Sequence, residues 1–204
     1  MKNIEDISKN FKDKKVLVIG DIMLDHTIYG TSDRLSPEAP VPIVKHERDN
    51  YTLGGAGNVA INVKNLSPKS DVYFFGFIGD DNYGKKIDEI LKQKGICYYF
   101  EKNGITTLKE RIIIEGRGQP QQIARIDTEC TEKKFFNNKK NLLELSEICD
   151  IIIISDYAKG TITSNLLDNL SRYKSKVIVD SKPSNNETMD IYKNVFLIKC
   201  NKLE

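Results

Sequence analysis

The order of apolar and amphipathic segments in this chain predicts a doubly wound α/β fold, with a mainly parallel sheet covered by helices on both faces. Three observations lead to this prediction. Short, continuous apolar runs recur along the chain, as expected for strands that are buried on both faces. Segments with helical periodicity separate most of these runs, as crossover connections require. Two stretches without room for such helices interrupt the alternation.

The main sheet is predicted to contain the continuous apolar runs at residues 16–20, 72–78, 96–100, 151–154, 177–180 and 195–198. The predicted helices span residues 56–66, 83–94, 136–148 and 164–173. In the first of these helices one face, which we expect to pack on the sheet, contains Val59, Ala60, Val63 and Leu66.

The two stretches that break the alternation are residues 27–52 and 106–127. They contain β-like segments at residues 41–45, 111–114 and 122–126. We expect one small antiparallel sheet here, placed as a lid at the ends of the parallel strands. No repeat or linker divides the sequence, so we expect a single domain over residues 1–204.

The composition suits a soluble globular protein and argues against several other classes. With 31 basic and 29 acidic residues, the net charge of +2 gives no electrostatic case for nucleic acid binding. The polar N-terminal residues lack the apolar core of a secretory signal, and the aliphatic run at residues 151–154 is too short to cross a membrane. The 4 cysteines are scattered without a CxxC pair, so we expect reduced thiols and a cytoplasmic protein.

Acidic residues follow the first predicted strand, and a glycine turn opens the first predicted helix. Asp21 and Asp25 come after residues 16–20, and a carboxylate at the carboxyl end of a strand can accept hydrogen bonds from sugar hydroxyls. Gly54 and Gly55 let a small polar molecule approach the backbone closely. These features predict a small-molecule site, with Asp21 orienting the turn.

The glycine turn also has an alternative interpretation as a dinucleotide site. Gly55, Gly57 and Ala60 fit the pattern GxGxxA. That motif needs a hydrophobic strand directly before the glycines, and residues 46–52 make a poor one. We therefore favour a sugar site over an NAD site.

Residues 34–42 have the sequence RLSPEAPVP, in which three prolines stiffen an extended segment. With Asp25 and the glycine turn, this segment resembles the ribokinase-type (PfkB) carbohydrate kinases. The likeness is greatest to the kinases of D-glycero-β-D-manno-heptose 7-phosphate, which form the N-terminal domain of bifunctional heptose kinase/adenylyltransferases. The resemblance implies a ribokinase-like fold with an antiparallel lid.

The resemblance also implies which residues bind the substrate. In such kinases the matching aspartate holds sugar hydroxyls, and the glycines and asparagine line the sugar site. A guanidinium suits a phosphate, and alternate residues of one strand can form a clamp on one face. The Ser-Asp-Tyr-x-Lys-Gly segment contributes further residues. The implied substrate contacts are Asp25, Arg34, Ser36, Gly54, Gly55, Asn58, Lys109, Arg111, Asp156 and Lys159.

The resemblance also implies which residues contact the nucleotide and its phosphates. Lys182, in a turn typical of the family, would approach the transferring phosphate. Asn201 and Glu204 match the family's Asn-x-x-Glu motif. In the family this glutamate helps to organise Mg²⁺, so the resemblance implies ATP and Mg²⁺ as cofactors. The family's Gly-Ala-Gly-Asp segment, which carries the catalytic base, is not found in this sequence. We therefore expect a kinase fragment that is inactive alone, with Asp156 as the first candidate if a base lies within it.

The function that follows is ATP-dependent phosphorylation of the heptose 7-phosphate at its anomeric hydroxyl, in lipopolysaccharide core synthesis. The partners expected are the phosphosugar, ATP and a second copy that pairs through the lid sheet, with neither nucleic acid nor membrane. Two alternatives stay open at this point. One is a PfkB kinase for another sugar, and the other is a phosphosugar-binding fragment without catalysis.

Overall fold

The computed structural model describes residues 13–116, 118–130, 134, 136–137, 139–181 and 191–199, and it places their strands in two sheets. In chain order the elements are β1 (Lys15–Gly20), β2 (Ile22–Thr31), β3 (Lys45–Gly55), α1 (Ala56–Leu66), β4 (Asp71–Ile78), α2 (Asn82–Gln93), β5 (Cys97–Lys102), β6 (Leu108–Ile114), β7 (Gln121–Thr128), α3 (Lys139–Ile148), β8 (Ile151–Asp156), α4 (Ser164–Asn169), a 3₁₀ helix (Ser171–Lys176), β9 (Val177–Ser181) and β10 (Leu197–Lys199).

The main sheet has six strands in the order β10-β9-β8-β1-β4-β5, and every neighbouring pair is parallel. Alternate residues of the central strand β1 enter two separate cores. Val16 and Val18 belong to the core that also contains residues of α1 and α2, whereas Leu17 and Ile19 pack with residues of α3 and α4. Burial on both faces explains the continuous apolar runs and confirms the predicted fold class.

The second sheet has four strands in the order β3-β2-β6-β7. Its two outer pairs are antiparallel, as predicted, and its central pair, β2 with β6, is parallel. The sheet begins at Ile22, earlier than the predicted residue 27, because Asp21 alone separates β1 from β2. Asp25 was predicted to follow the first strand, but it lies within β2.

The segment at residues 46–52 is not a hydrophobic strand, as predicted, but it nevertheless forms most of β3. Its polarity follows from its position, because β3 is an edge strand and its first six residues are exposed. β3 pairs antiparallel with β2, outside the parallel sheet. It is therefore not the strand of a parallel βαβ unit, which the dinucleotide motif requires.

Helix α1 has the predicted bounds, and most of its predicted face packs inward. Ala60 is buried, and Val59 and Val63 pack against the core. Leu66 is the exception, since it is 72% exposed. A Cβ at Gly57 would lie 2.9 Å from Cγ1 of Ile22. Small residues thus let α1 lie close against β2. Within the described residues, the structure contains no helix that is both long and apolar enough to span a bilayer.

The carboxylate of Asp81 fixes the start of α2 to the segment before β6. Oδ1 accepts from the backbone N–H of Gly84 at 2.7 Å and from the hydroxyl of Thr106 at 2.8 Å, while Oδ2 accepts from the Thr106 N–H at 2.8 Å. Burial raises the pKa of Asp81, but the hydrogen bonds from Thr106 and Gly84 outweigh burial, and the pKa lies below its ordinary value.

The carboxylate of Asp21 joins three parts of the fold at the carboxyl end of β1. Asp21 is 1% exposed, and Oδ2 accepts from the N–H groups of Tyr157 and Lys159 at 2.9 and 3.0 Å. Oδ1 accepts from the Thr161 N–H at 3.1 Å, and the Asp21 carbonyl accepts from the N–H of Ala56 at 2.9 Å. Asp21 therefore orients the loop after β8 and also holds the first residue of α1.

We expect Asp81→Ala to lower the free energy of unfolding by about 2 kcal/mol near neutral pH, because a helix cap and a buried link are lost. A lowered folded-state pKa gives stability that is complete above the ordinary aspartate pKa and lost as the pH falls through the folded value. The difference from wild type in urea titrations should therefore shrink towards about pH 3. Asp80→Ala, at an exposed neighbour, is the matched control. A difference that stays constant with pH would contradict this assignment.

We expect Asp21→Ala to lower the free energy of unfolding by roughly 3 kcal/mol or more, because three backbone N–H groups, one buried and two partly buried, lose their acceptor. Urea denaturation followed by circular dichroism measures this change. Asp150→Ala is the control, since this exposed carboxylate accepts one N–H, from Lys15. It should change the free energy of unfolding by less than about 1 kcal/mol. Equal effects of the two substitutions would show that Asp21 does not hold the junction.

Candidate functional site

The centre of the candidate site lies on one face of the second sheet, called the site face below. Nη1 of Arg111 donates to Oδ1 of Asp25 at 2.6 Å. Lys109 lies directly opposite Asp25 in the β2–β6 pair, and Arg111 lies two residues further along β6. Because strand residues alternate between faces, the three side chains share one face, as predicted for the two cations.

The glycine turn at the end of β3 lies against both aspartates. A Cβ at Gly54 would lie 2.4 Å from Oδ2 of Asp25, and one at Gly55 would lie 2.2 Å from the backbone oxygen of Asp21. Gly55 also has φ of +57°, in the region that favours glycine. Both glycines are thus required by close approach. Asn58 follows in the first turn of α1, where it is exposed.

Strand β7 adds two residues that the sequence analysis did not select. Arg125 lies opposite Arg111, and Asp127 lies opposite Lys109, so both belong to the site face. Arg125 donates from Nε and Nη2 to the two Asp127 oxygens at 2.7 and 2.6 Å. This hydrogen bonding lowers the pKa of Asp127 and raises that of Arg125. The alternation that identified Lys109 and Arg111, applied to the partner strand, would have found them.

The site face has more positive than negative charge. Its cations are Lys109, Arg111 and Arg125, and its carboxylates are Asp25 and Asp127, which leaves one cation in excess among these five side chains. A hydroxyl can donate to Asp25, and an anion can contact the excess cation. The arrangement suits a ligand that carries both hydroxyls and a negative group.

A second group of predicted residues lies at the end of β8 and in the loop that follows it. Asp156 is 5% exposed, and Oδ2 accepts from the hydroxyls of Tyr192 at 2.5 Å and Ser181 at 3.3 Å. Oδ1 accepts from the N–H of Ala158 at 2.8 Å. Burial, followed by the hydrogen bond to Asp156, raises the pKa of Tyr192. Both Asp156 oxygens thus have protein partners, which supports a structural role over that of a general base.

Two lysines at this loop contact carboxylates. Nζ of Lys159 donates to Oε2 of Glu129 at 2.8 Å. Nζ of Lys134 lies 3.9 Å from Oδ1 of Asp21, and the Lys134 side chain is 6% exposed. Burial lowers the pKa of Lys134, and the charge of Asp21 opposes that change. Lys134 gave no signal in the sequence, where it lies in a polar, charged segment typical of a solvated surface.

The structure does not place all predicted residues together. Arg34 and Ser36 lie in the loop between β2 and β3, where Leu35 bridges Pro42. This loop follows the end of β2 that is distant from Asp25, about 20 Å along the strand. Lys182, Asn201 and Glu204 lie outside the described residues. The part of the chain that the structure describes contains no group of three or more His, Cys, Asp or Glu side chains that could hold a metal ion.

Comparison with known sequences agrees with the predicted resemblance. A family model described as "pfkB family carbohydrate kinase" matches residues 13–204. The bifunctional protein HldE of Helicobacter pylori (strain J99 / ATCC 700824) is 37% identical over 203 residues, which cover 94% of this chain and 42% of that protein. HldE of a Nitratiruptor species is 34% identical over 198 residues, with 93% and 40% covered. The chain thus spans less than half the length of these relatives.

Solved structures show the same fold at lower identity. The tetrameric inhibited form of phosphofructokinase-2 from Escherichia coli has a TM-score of 0.65 and 18% identity, over 95% of this chain and 62% of that chain. Ribokinase from Arabidopsis thaliana, complexed with ribose and ATP, has a TM-score of 0.63 and 17% identity, over 94% and 61%. The family match and the identity to HldE confirm the resemblance that the motifs predict: this chain belongs to the PfkB family of carbohydrate kinases.

Proposed function

We propose that this chain forms the sugar-binding part of an ATP-dependent kinase for D-glycero-β-D-manno-heptose 7-phosphate. The observation that carries the proposal is the Asp25 carboxylate, held by Arg111 above the side-chain-free Gly54. The HldE relatives support a heptose substrate. The reaction is transfer of the ATP γ-phosphate to the anomeric hydroxyl, which gives the 1,7-bisphosphate.

The site face supplies two kinds of contact to such a substrate. In this proposal Asp25 accepts hydrogen bonds from sugar hydroxyls through Oδ2, since Oδ1 accepts from Arg111. Gly54 and Gly55 let the Asp25 carboxylate and the Asp21 backbone lie close to the turn, and Asn58 contacts a further hydroxyl. Because a hydroxyl group loses its hydration when it is bound, a missing acceptor is costly. These contacts orient the sugar.

The cations of the site face take the 7-phosphate. Lys109 lies two residues before Arg111 in β6, and Arg125 lies opposite Arg111 in β7. The three side chains therefore form one cluster of donors. Phosphoryl transfer depends mainly on positioning and on neutralisation of charge, which these side chains supply on the sugar side. ATP supplies the phosphoryl group, and Mg²⁺ neutralises its charge when bound.

The remaining predicted residues have other roles in this proposal. Asp156 shapes the loop after β8, because both of its oxygens accept hydrogen bonds within the protein. Lys159 is held by Glu129 at the edge of that loop. Arg34 and Ser36 keep the substrate roles that the resemblance implies, although the structure places them apart from Asp25. We place the reaction in cytoplasmic lipopolysaccharide core synthesis, with a second copy paired through the second sheet.

Two experiments test the reaction itself. A protein that contains these residues should release ADP from ATP when heptose 7-phosphate is added, and mass spectrometry should detect the 1,7-bisphosphate. Release that is faster with an unrelated sugar, such as ribose, would favour a PfkB kinase for another substrate. Phosphosugar binding without ADP release would favour a binding fragment.

We expect Asp25→Ala to weaken binding of heptose 7-phosphate at least about tenfold, because sugar hydroxyls lose their acceptor. Isothermal titration calorimetry on the chain measures the Kd. Asp71→Ala is the matched control, since Asp71 is an exposed aspartate at the start of β4, at the opposite end of the main sheet. Unchanged affinity in Asp25→Ala, with the fold intact by circular dichroism, would remove Asp25 from the site.

We expect Lys109→Ala to weaken binding of heptose 7-phosphate about tenfold and binding of unphosphorylated heptose less than about threefold, because a charged hydrogen bond to the phosphate is lost. Lys109 discriminates better than Arg111, whose loss would also release Asp25. Calorimetry with both sugars gives the two ratios. Arg172→Ala, on the exposed 3₁₀ helix, is the control cation. Equal losses for both sugars would show that Lys109 supports the sheet and does not bind the phosphate.

A further inference from the structure

His26 lies between two carboxylates on the reverse face of the second sheet. Its Nε2 is 2.6 Å from Oδ1 of Asp49, and its Nδ1 is 3.0 Å from Oε1 of Glu110. The His26 side chain is 8% exposed. Asp49 lies on β3 and Glu110 lies on β6, so the ring connects both neighbours of β2.

We propose that His26 is a positioning residue: through both ring nitrogens it ties β3 and β6 to β2 and so holds Asp25, Lys109 and Arg111 in their binding arrangement. The consequence is a phosphosugar affinity that falls when either ring nitrogen loses its carboxylate partner. This inference rests on the proposed function for its ligand, but the contacts behind it do not depend on that ligand.

The chemistry of the ring requires both protons. A neutral imidazole has one N–H donor and one bare nitrogen, whereas an imidazolium has two donors. Both ring nitrogens face a carboxylate oxygen at hydrogen-bond distance. A neutral ring would therefore direct a lone pair at one carboxylate, and that contact would become repulsive. A side chain that donates to one carboxylate only should release either Asp49 or Glu110.

Further groups contact this cluster from β3 and α2. From β3, Asp49 also accepts from Nε2 of His46 at 2.9 Å, and Tyr51 stacks on His26 with ring centroids 4.3 Å apart. The hydrogen bond from His26 is the main cause that holds the pKa of Asp49 below its ordinary value. From α2, Nζ of Lys86 lies 5.5 Å from the Tyr51 ring, and Tyr83 packs against the same core. Asp49 and Glu110 are the anions in direct contact with the ring.

His26 and Glu110 are adjacent in sequence to residues of the site face. His26 directly follows Asp25 in β2, and Glu110 lies between Lys109 and Arg111 in β6. In the β2–β6 register His26 faces Glu110, while Asp25 faces Lys109. A shift of β6 that breaks the contact between His26 and Glu110 also moves both cations relative to Asp25. The Arg111–Asp25 hydrogen bond is the contact through which the shift would be observed.

The test uses nuclear magnetic resonance and calorimetry on the chain, with all variants compared at one pH. Replacing His26 by a side chain that cannot donate to both carboxylates should move the Arg111 Nε–H signal. The Kd for heptose 7-phosphate should rise about three- to tenfold in the same variant.

Three variants separate positioning from stability. His26→Gln, whose amide nitrogen cannot reach both carboxylates, should bind weakly. His26→Arg, which has several donors, should bind tightly. His46→Gln is the matched control, because His46 also contacts Asp49 but its side chain is 57% exposed. It should keep the wild-type affinity and the wild-type Arg111 signal.

His26→Gln with wild-type Arg111 signal and affinity would overturn the proposal, even if its unfolding free energy fell, because that result describes a purely structural residue. If the wild-type chain binds no heptose 7-phosphate, the proposed function fails. The Arg111 signals of the wild type and of His26→Gln, recorded without ligand, still decide the role of His26 in that case.

Discussion

The arrangement of this protein depends on the need of one buried carboxylate for hydrogen-bond donors. Asp21 is almost wholly inaccessible to water, and a carboxylate in that position is stable only with several partners. It obtains them from the backbone of the loop after β8, which must therefore curve around it. Its own carbonyl holds the start of α1. Hydrogen bonds to Asp21 thus connect the carboxyl end of β1 to the glycine turn and to this loop.

The two faces of the second sheet carry side chains with different roles. Because side chains alternate along a strand, Asp25 and His26 are neighbours in sequence but lie on opposite faces. The site face carries exposed and half-buried charges that can exchange protein partners for a ligand. The reverse face carries His26 in a buried network whose partners are fixed. Such a division lets a binding surface remain polar while the strands beneath it stay in register.

Much of the fold could be predicted from the sequence, and the failures have clear physical causes. Strands such as β1 and β8 are buried on both faces, so their composition alone identifies them. β3 was missed because an edge strand has few buried neighbours and can be polar along most of its length. On α1 the predicted face failed only at Leu66, which is the last residue of the helix and is exposed.

The candidate site was predictable where local spacing determines geometry. Lys109 and Arg111 share a face in any strand, whereas their meeting with Asp25 depends on a parallel pairing between distant segments. Arg125 could be placed on the site face only from the pairing of β7 with β6. Lys134 could be recognised only from its tertiary contact with Asp21. Sequence motifs gave residue types, and tertiary pairing decided which of them meet.

The parallel pairing of β2 with β6 has a consequence for the order of folding. β2 pairs with β3, the next strand in the chain, whereas β6 follows β2 only after β3, α1, β4, α2 and β5. Contacts between such distant segments carry a larger entropic cost of closure than local contacts, and we expect them to form late. The Arg111–Asp25 contact closes across 86 residues. The binding face therefore cannot exist as an autonomous hairpin, because its central strand pair joins segments that are distant in the chain.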